Sequence, residues 1–110
     1  MEVFKEELLE HFYHHTIRAL TQAVLGIRDI EMNNGVSGED VKKLYYKSVK
    51  RFVDMVGNSA KKVRAELPDD NDCEGLSSIF DGYIADIEQI KKAFESKDYA
   101  KIESLQQAKI

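Results

Sequence analysis

The chain has 110 residues, 43% of them hydrophobic and 33% charged, with a formal net charge of −4. That length reads as a single domain, residues 1–110, large enough to fold without a metal or disulfide staple. The composition excludes a disordered chain, and the acidic balance argues against a dedicated nucleic-acid binder, so nucleic acid is not an expected partner.

The first predicted element is a helix from about Val3 to Met32, closed by Asn33, Asn34 and Gly35. Its large apolar residues are Phe4, Leu8, Leu9, Phe12, Ile17, Leu20, Val24, Ile27 and Ile30. At 100° per residue they span roughly 220° of the circumference, about twice the stripe of an ordinary surface helix. Such a helix must pack against two or more neighbours, within the chain or in a second one. Its remaining polar strip holds Glu7, His11, His14 and Arg18.

Ser37 is a suitable N-cap for a second helix, with Glu39 and Asp40 in the first turn where the helix dipole favours negative charge. Val41, Tyr45, Val49, Phe52, Val56, Ala60, Val63 and Leu67 then recur at spacings of three and four. The phase holds across Gly57, so a continuous helix is expected there, at a cost of about 1 kcal/mol relative to alanine. The rival reading is a break at Gly57-Asn58-Ser59. Pro68 ends the helix by disfavouring helical geometry at Leu67.

An acidic loop, residues 69–75, leads into a third helix with Leu76, Phe80, Tyr83, Ile87, Ile90 and Phe94 on one seam. Ser96-Lys97-Asp98 reads as a break. Tyr99, Ile102 and Leu105 mark a short fourth helix. No strand alternation occurs anywhere. The expected fold is therefore all-α: an up-down-up bundle of three long antiparallel helices with a short fourth C-terminal helix, open to dimerisation. The expected core is Leu8, Phe12, Leu20, Val24, Ile27, Tyr45, Phe52, Val56, Val63, Phe80, Ile87 and Phe94.

Charge is uneven. Residues 39–67 hold eight Lys/Arg and four Asp/Glu, net +4, whereas residues 68–98 hold three Lys and nine Asp/Glu, net −6. Packed side by side, such helices pair their charges. Lys43, Lys47, Lys50 and Lys61, with Tyr46 among them, could track a phosphate backbone, but Asp54 interrupts the patch and a solvated face is the simpler reading.

Three constellations bear on chemistry. His11 and His15 lie one helical turn apart, with Glu7 a turn earlier than His11, a spacing that can present two imidazoles and a carboxylate to a divalent metal. These three residues are the candidate metal ligands. Asp70, Asp72, Glu74, Gly75 and Asp81 fall near the ligand spacing of a calcium loop, with Glu at the fifth position and Asp at the twelfth as departures. Glu6, Glu7 and Glu10 match half of a magnesium-binding pair of acidic motifs, but the second half is missing because Asn34 stands three residues after Glu31. Cys73 lies between Asp72 and Glu74, which does not activate a thiol. No nucleophile motif and no glycine-rich phosphate loop occur, and no cofactor is expected.

The sequence thus points to a non-catalytic helical protein-interaction module of adaptor, immunity or inhibitor type, binding a protein partner or itself. The alternative is a metal-binding or metal-dependent helical bundle using Glu7, His11 and His15 or the acidic loop 69–74. A single cysteine, no signal-like N-terminus and no long apolar run lead to an expected cytoplasmic protein without a membrane partner.

Overall fold

A computed structural model describes residues 2–32, 38–68 and 74–108, with side chains described for 6–32, 38–68 and 75–107. Four helices follow in order: α1 (Glu2–Met32), α2 (Glu39–Glu66), α3 (Glu74–Glu95) and α4 (Tyr99–Ala108). No strand occurs among the described residues. None of the helices is long and apolar enough to cross a membrane.

The helix ends follow local chemistry. Ser37 lies outside the described residues, and the N-cap position of α2 is Gly38, whose carbonyl accepts from the Lys42 amide at 3.1 Å. Leu67, held extended before Pro68, closes α2 by donating its amide to the Arg64 carbonyl at 3.3 Å. After α3, Lys97 takes a left-handed conformation with φ 56°. The Asp98 amide then reaches the Ala93 carbonyl at 2.8 Å and the Lys97 amide the Phe94 carbonyl at 3.2 Å, the paired bonds of a Schellman closure. Asp98 also caps α4, its Oδ1 accepting from the Lys101 amide at 3.2 Å. The break expected at Ser96-Lys97-Asp98 is present, as is a separate fourth helix. The stops at Asn33, Asn34 and Gly35 lie outside the described residues.

Helix α1 packs against all three others, as its wide apolar arc requires. Tyr13, Ile17, Leu20, Thr21, Val24 and Ile27 are its buried residues. Thr21 resolves its hydroxyl inside the helix, donating to the Arg18 carbonyl at 2.9 Å. From α3 come Tyr83, Ile87, Ile90, Ala93 and Phe94. Helix α4 lies on α1 and α3 and buries Ile102 completely. Leu25 and Leu105 pack against the same core.

Helix α2 corrects the sequence reading. It is continuous through Gly57, but its buried line is Val49, Val53, Gly57 and Ala60. Phe52 and Val63, expected in the core, are exposed, and so are Leu8 and Phe12 of α1. Tyr45, Val56 and Phe80 are only half-buried against the core. The physical reason is close packing of small residues. Gly57 lies against α3 so tightly that a Cβ there would sit 3.3 Å from Ile87 Cγ2. The helix brings Gly57 against α3, while Phe52, Met55 and Val63 turn onto the flank beside Phe12 and Thr16 of α1. A glycine read from sequence only as a tolerated cost therefore sets the rotation of α2.

Ion pairs join α2 to α3 across the surface: Arg64 to Asp81 at 2.9 Å, Lys61 to Glu88 at 2.7 Å and Lys91 to Asp54 at 3.6 Å. The opposed net charges of these segments are thus used in mutual pairing. The bond to Lys61 holds the Glu88 carboxyl below its usual range. At the other end of α1, Arg28 pairs with Glu103 of α4, and Glu31 accepts from Lys97 and from the Tyr99 hydroxyl, each at 3.2 Å.

Candidate functional site

The rotation of α2 leaves an open apolar groove between the N-terminal half of α1 and the C-terminal half of α2. Phe12 and Thr16 form one wall, Phe52, Met55 and Val63 the other, and Ala60, Phe80 and Tyr83 the floor. Its volume is about 410 Å³. Phe12 is 60% exposed, Met55 61%, Val63 40% and Phe52 38%, while Leu8, one turn before Phe12, is 53% exposed. Four of these large apolar side chains line the groove together, an exposed cluster of the kind that marks an interaction surface.

Nearer the start of α2, outside the groove's lining, α1 and α2 are tied by one side chain. Tyr45 of α2 reaches across to α1 and donates its hydroxyl to the Ala23 carbonyl at 3.1 Å. Gly26 makes room for it: a Cβ there would collide with the Tyr45 hydroxyl. Below the opening the floor is well ordered by polar contacts. Tyr13 donates to Asp86, and its ring lies 4.9 Å from that of Tyr83. Burial raises the Tyr83 phenol above its ordinary pKa, opposed by a hydrogen bond to Thr16. No described side-chain nitrogen or oxygen is buried without a partner, so nothing polar inside the bundle awaits a ligand.

A second, larger concavity of about 910 Å³ lies at the start of α2, lined by Lys43, Lys47 and Lys50 together with Glu31, Glu39 and Asp40. The mixed signs weaken any field for phosphate. Tyr46, which would have to stack a base, stacks on Phe94 at 5.0 Å between centroids. Lys61, the fourth lysine of the sequence patch, pairs with Glu88.

The candidate metal ligands separate into a pair and a bystander. His11 and His15 approach with their Nε2 atoms 3.1 Å apart. Both are exposed, as is Glu7. Glu7 does not join them: no group of three or more His, Cys, Asp or Glu side chains converges among the described residues. His14 points elsewhere, edge-on to Tyr13 at 5.5 Å. Of the calcium-loop spacing, Asp70 and Asp72 lie outside the described residues, as does Cys73. Helix α3 already begins at Glu74, which places Gly75 inside it, and Asp81 is bonded to Arg64. Of the remaining acidic residues, Glu10 is exposed and Glu31 is engaged by Lys97 and Tyr99.

Sequence reasoning drew a single stripe along α2 and so missed the groove. The signal was present: Val41, Leu44, Ser48, Phe52, Met55, Ser59 and Val63 recur at spacings of 3, 4, 4, 3, 4 and 4, a second line offset from Val49, Val53, Gly57 and Ala60. Two lines on one helix mean two neighbours, of which the chain supplies one in full. No known protein family, characterised protein or solved structure matches this chain.

Proposed function

We propose that the chain is a non-catalytic interaction module that docks an amphipathic helix of another protein chain in the groove between α1 and α2. The observation that carries this reading is the groove itself, where Phe12, Phe52, Met55 and Val63 stand uncovered beside a fully packed core. A helix laid there would complete a bundle cross-section that α4, only ten residues long, covers on another side of α1. The up-down-up course of the three long helices belongs to the same reading. It is supported by Tyr45 beside Ala23, Arg64 beside Asp81 and Tyr13 beside Asp86. A cytoplasmic location belongs to the same proposal, and a single cysteine is compatible with it.

The test uses an environment-sensitive apolar dye and a model amphipathic peptide with leucines at helical spacing. The wild type is expected to bind the dye and release it to the peptide. A Phe12→Lys/Met55→Lys variant, altered only at exposed positions, is expected to keep its circular dichroism and bind neither. Equal binding by both proteins, or binding by neither, overturns the reading.

A further inference from the structure

The polar face of α1 carries a feature that helix docking leaves unused. His11 and His15 sit on successive turns, both exposed, with rings edge-on at 77° and centroids 4.4 Å apart. Their Nε2 atoms converge to 3.1 Å. Two zinc–nitrogen bonds of about 2.05 Å spanning that distance enclose an angle of about 98°, close to the tetrahedral ~109°. Opening the pair by about 0.2 Å reaches the tetrahedral value. The same distance is near the ~2.9 Å that two adjacent ligands of an octahedral ion subtend. The two nitrogens, which share one hydrogen bond, are thus spaced as adjacent ligands of one ion would be.

Two imidazoles fill half of a zinc sphere. Among the described residues no third ligand stands nearby, since Glu7 stays apart and no larger cluster forms, which leaves water or another molecule to supply the rest. The neighbouring face of the same turns decides between them. Leu8 and Phe12, both more than half exposed, flank the histidines. Apolar surface beside an incomplete metal site suits a macromolecular cap better than a hydration shell. A two-fold axis through the ion would bring an identical pair from a second copy and close the sphere with four imidazoles. Two exposed apolar side chains from each copy are far less than a stable interface buries, so pairing depends on the metal.

We propose that His11 and His15 form a half-site for a late first-row divalent ion such as zinc, completed by the same two residues of a second copy of this chain. This goes beyond helix docking in the groove, and shares only Phe12 with it.

The experiment titrates zinc into tag-free, metal-stripped protein against a chromophoric chelator, with sedimentation velocity of the same samples. The wild type is expected to take one zinc per two chains and to sediment as a dimer with zinc and as a monomer with EDTA. His11→Ala/His15→Ala, changed only at exposed positions, removes both ligands, so it should no longer compete with the chelator for zinc and should stay monomeric with zinc. Peptide binding in the groove, measured on that variant, should persist, which separates failure of the half-site from failure of the groove. Equal zinc affinity in the variant overturns the site. One zinc per monomeric chain overturns its completion by a second copy, and a dimer that persists in EDTA overturns its metal dependence.

Discussion

Neighbouring residues Phe52 and Val53 make the sharpest test of how α2 is rotated. Val53 is 2% exposed in the core, whereas Phe52 is 38% exposed on the groove wall. Replacing Phe52 with aspartate removes about three-fifths of a phenyl group's burial, which at 2–3 kcal/mol for the whole ring is about 1–2 kcal/mol. The new carboxylate remains in water and adds little. Replacing Val53 with aspartate forfeits about 1.5–2 kcal/mol of transfer energy and also buries a carboxyl with no partner, a further ~3 kcal/mol or more. The total of about 5 kcal/mol is comparable to the whole stability of a domain this size. Urea unfolding followed by far-ultraviolet circular dichroism is the assay, with midpoints compared at constant slope. Phe52→Asp should remain folded with a modestly lowered midpoint, and Val53→Asp should be largely unfolded in buffer. Equal losses at the two positions, or a greater loss at Phe52, would refute the packing of Gly57 and Ala60 against α3.

Further expectations concern helix ends, a close approach and pH. Lys97→Gly should stabilise the protein by about 0.5–1 kcal/mol, because the left-handed residue closing α3 lacks the freedom of glycine and the exposed Glu31 pair it gives up is worth little; an unchanged or lowered thermal midpoint would count against that closure. Gly26→Ala should cost about 1–3 kcal/mol by displacing the Tyr45 ring from the Ala23 carbonyl, whereas a gain near 1 kcal/mol, as for an open helical glycine, would show the contact to be absent. Burial, followed by the neighbouring Glu31 carboxylate, pushes the Tyr99 phenol up to about 12. A group whose folded pKa is raised retains its proton longer when folded, so its contribution is complete below the unfolded value near 10 and is lost as pH rises from there towards about 12. Tyrosinate absorbance should show late-titrating phenols, Tyr83 among them, and Tyr99→Phe should remove one of these from the late phase; an unchanged titration curve in that variant would refute the assignment.

The helices themselves were legible because periodicity and punctuation agree along the chain. Pro68 and the Ser96-Lys97-Asp98 break stand where the spacing pattern stops. The rotation of α2 was not legible, because the stripe drawn through its large residues runs between the two lines, roughly 60° from each, and takes members from both. Large side chains look like core from sequence. Yet Phe52 and Val63 gave way to Val53 and Gly57, which lay outside the stripe of large residues read along the helix. Leu8 and Phe12 belonged to an arc correctly read as too wide for one contact, and the excess width proved to be surface. Likewise the histidine pair followed from an interval of four residues on a helix, whereas the separateness of Glu7 depended on rotamers that no spacing records.

The short length of α4 has a thermal consequence. The structure spans 55 Å along its longest axis, yet α4 reinforces only the end where Arg28 and Glu31 meet Glu103, Lys97 and Tyr99. The opposite end, where Phe12 faces Met55 and Val63, has one fewer layer of helix around α1. Resistance to local opening is therefore graded along the rod, and amide exchange in the last turns of α2 should run ahead of that around Ile102. A ligand seated at the thin end would slow exchange there far more than a ligand at the thick end could, so the place of binding would be written in the protection pattern before any complex is crystallised.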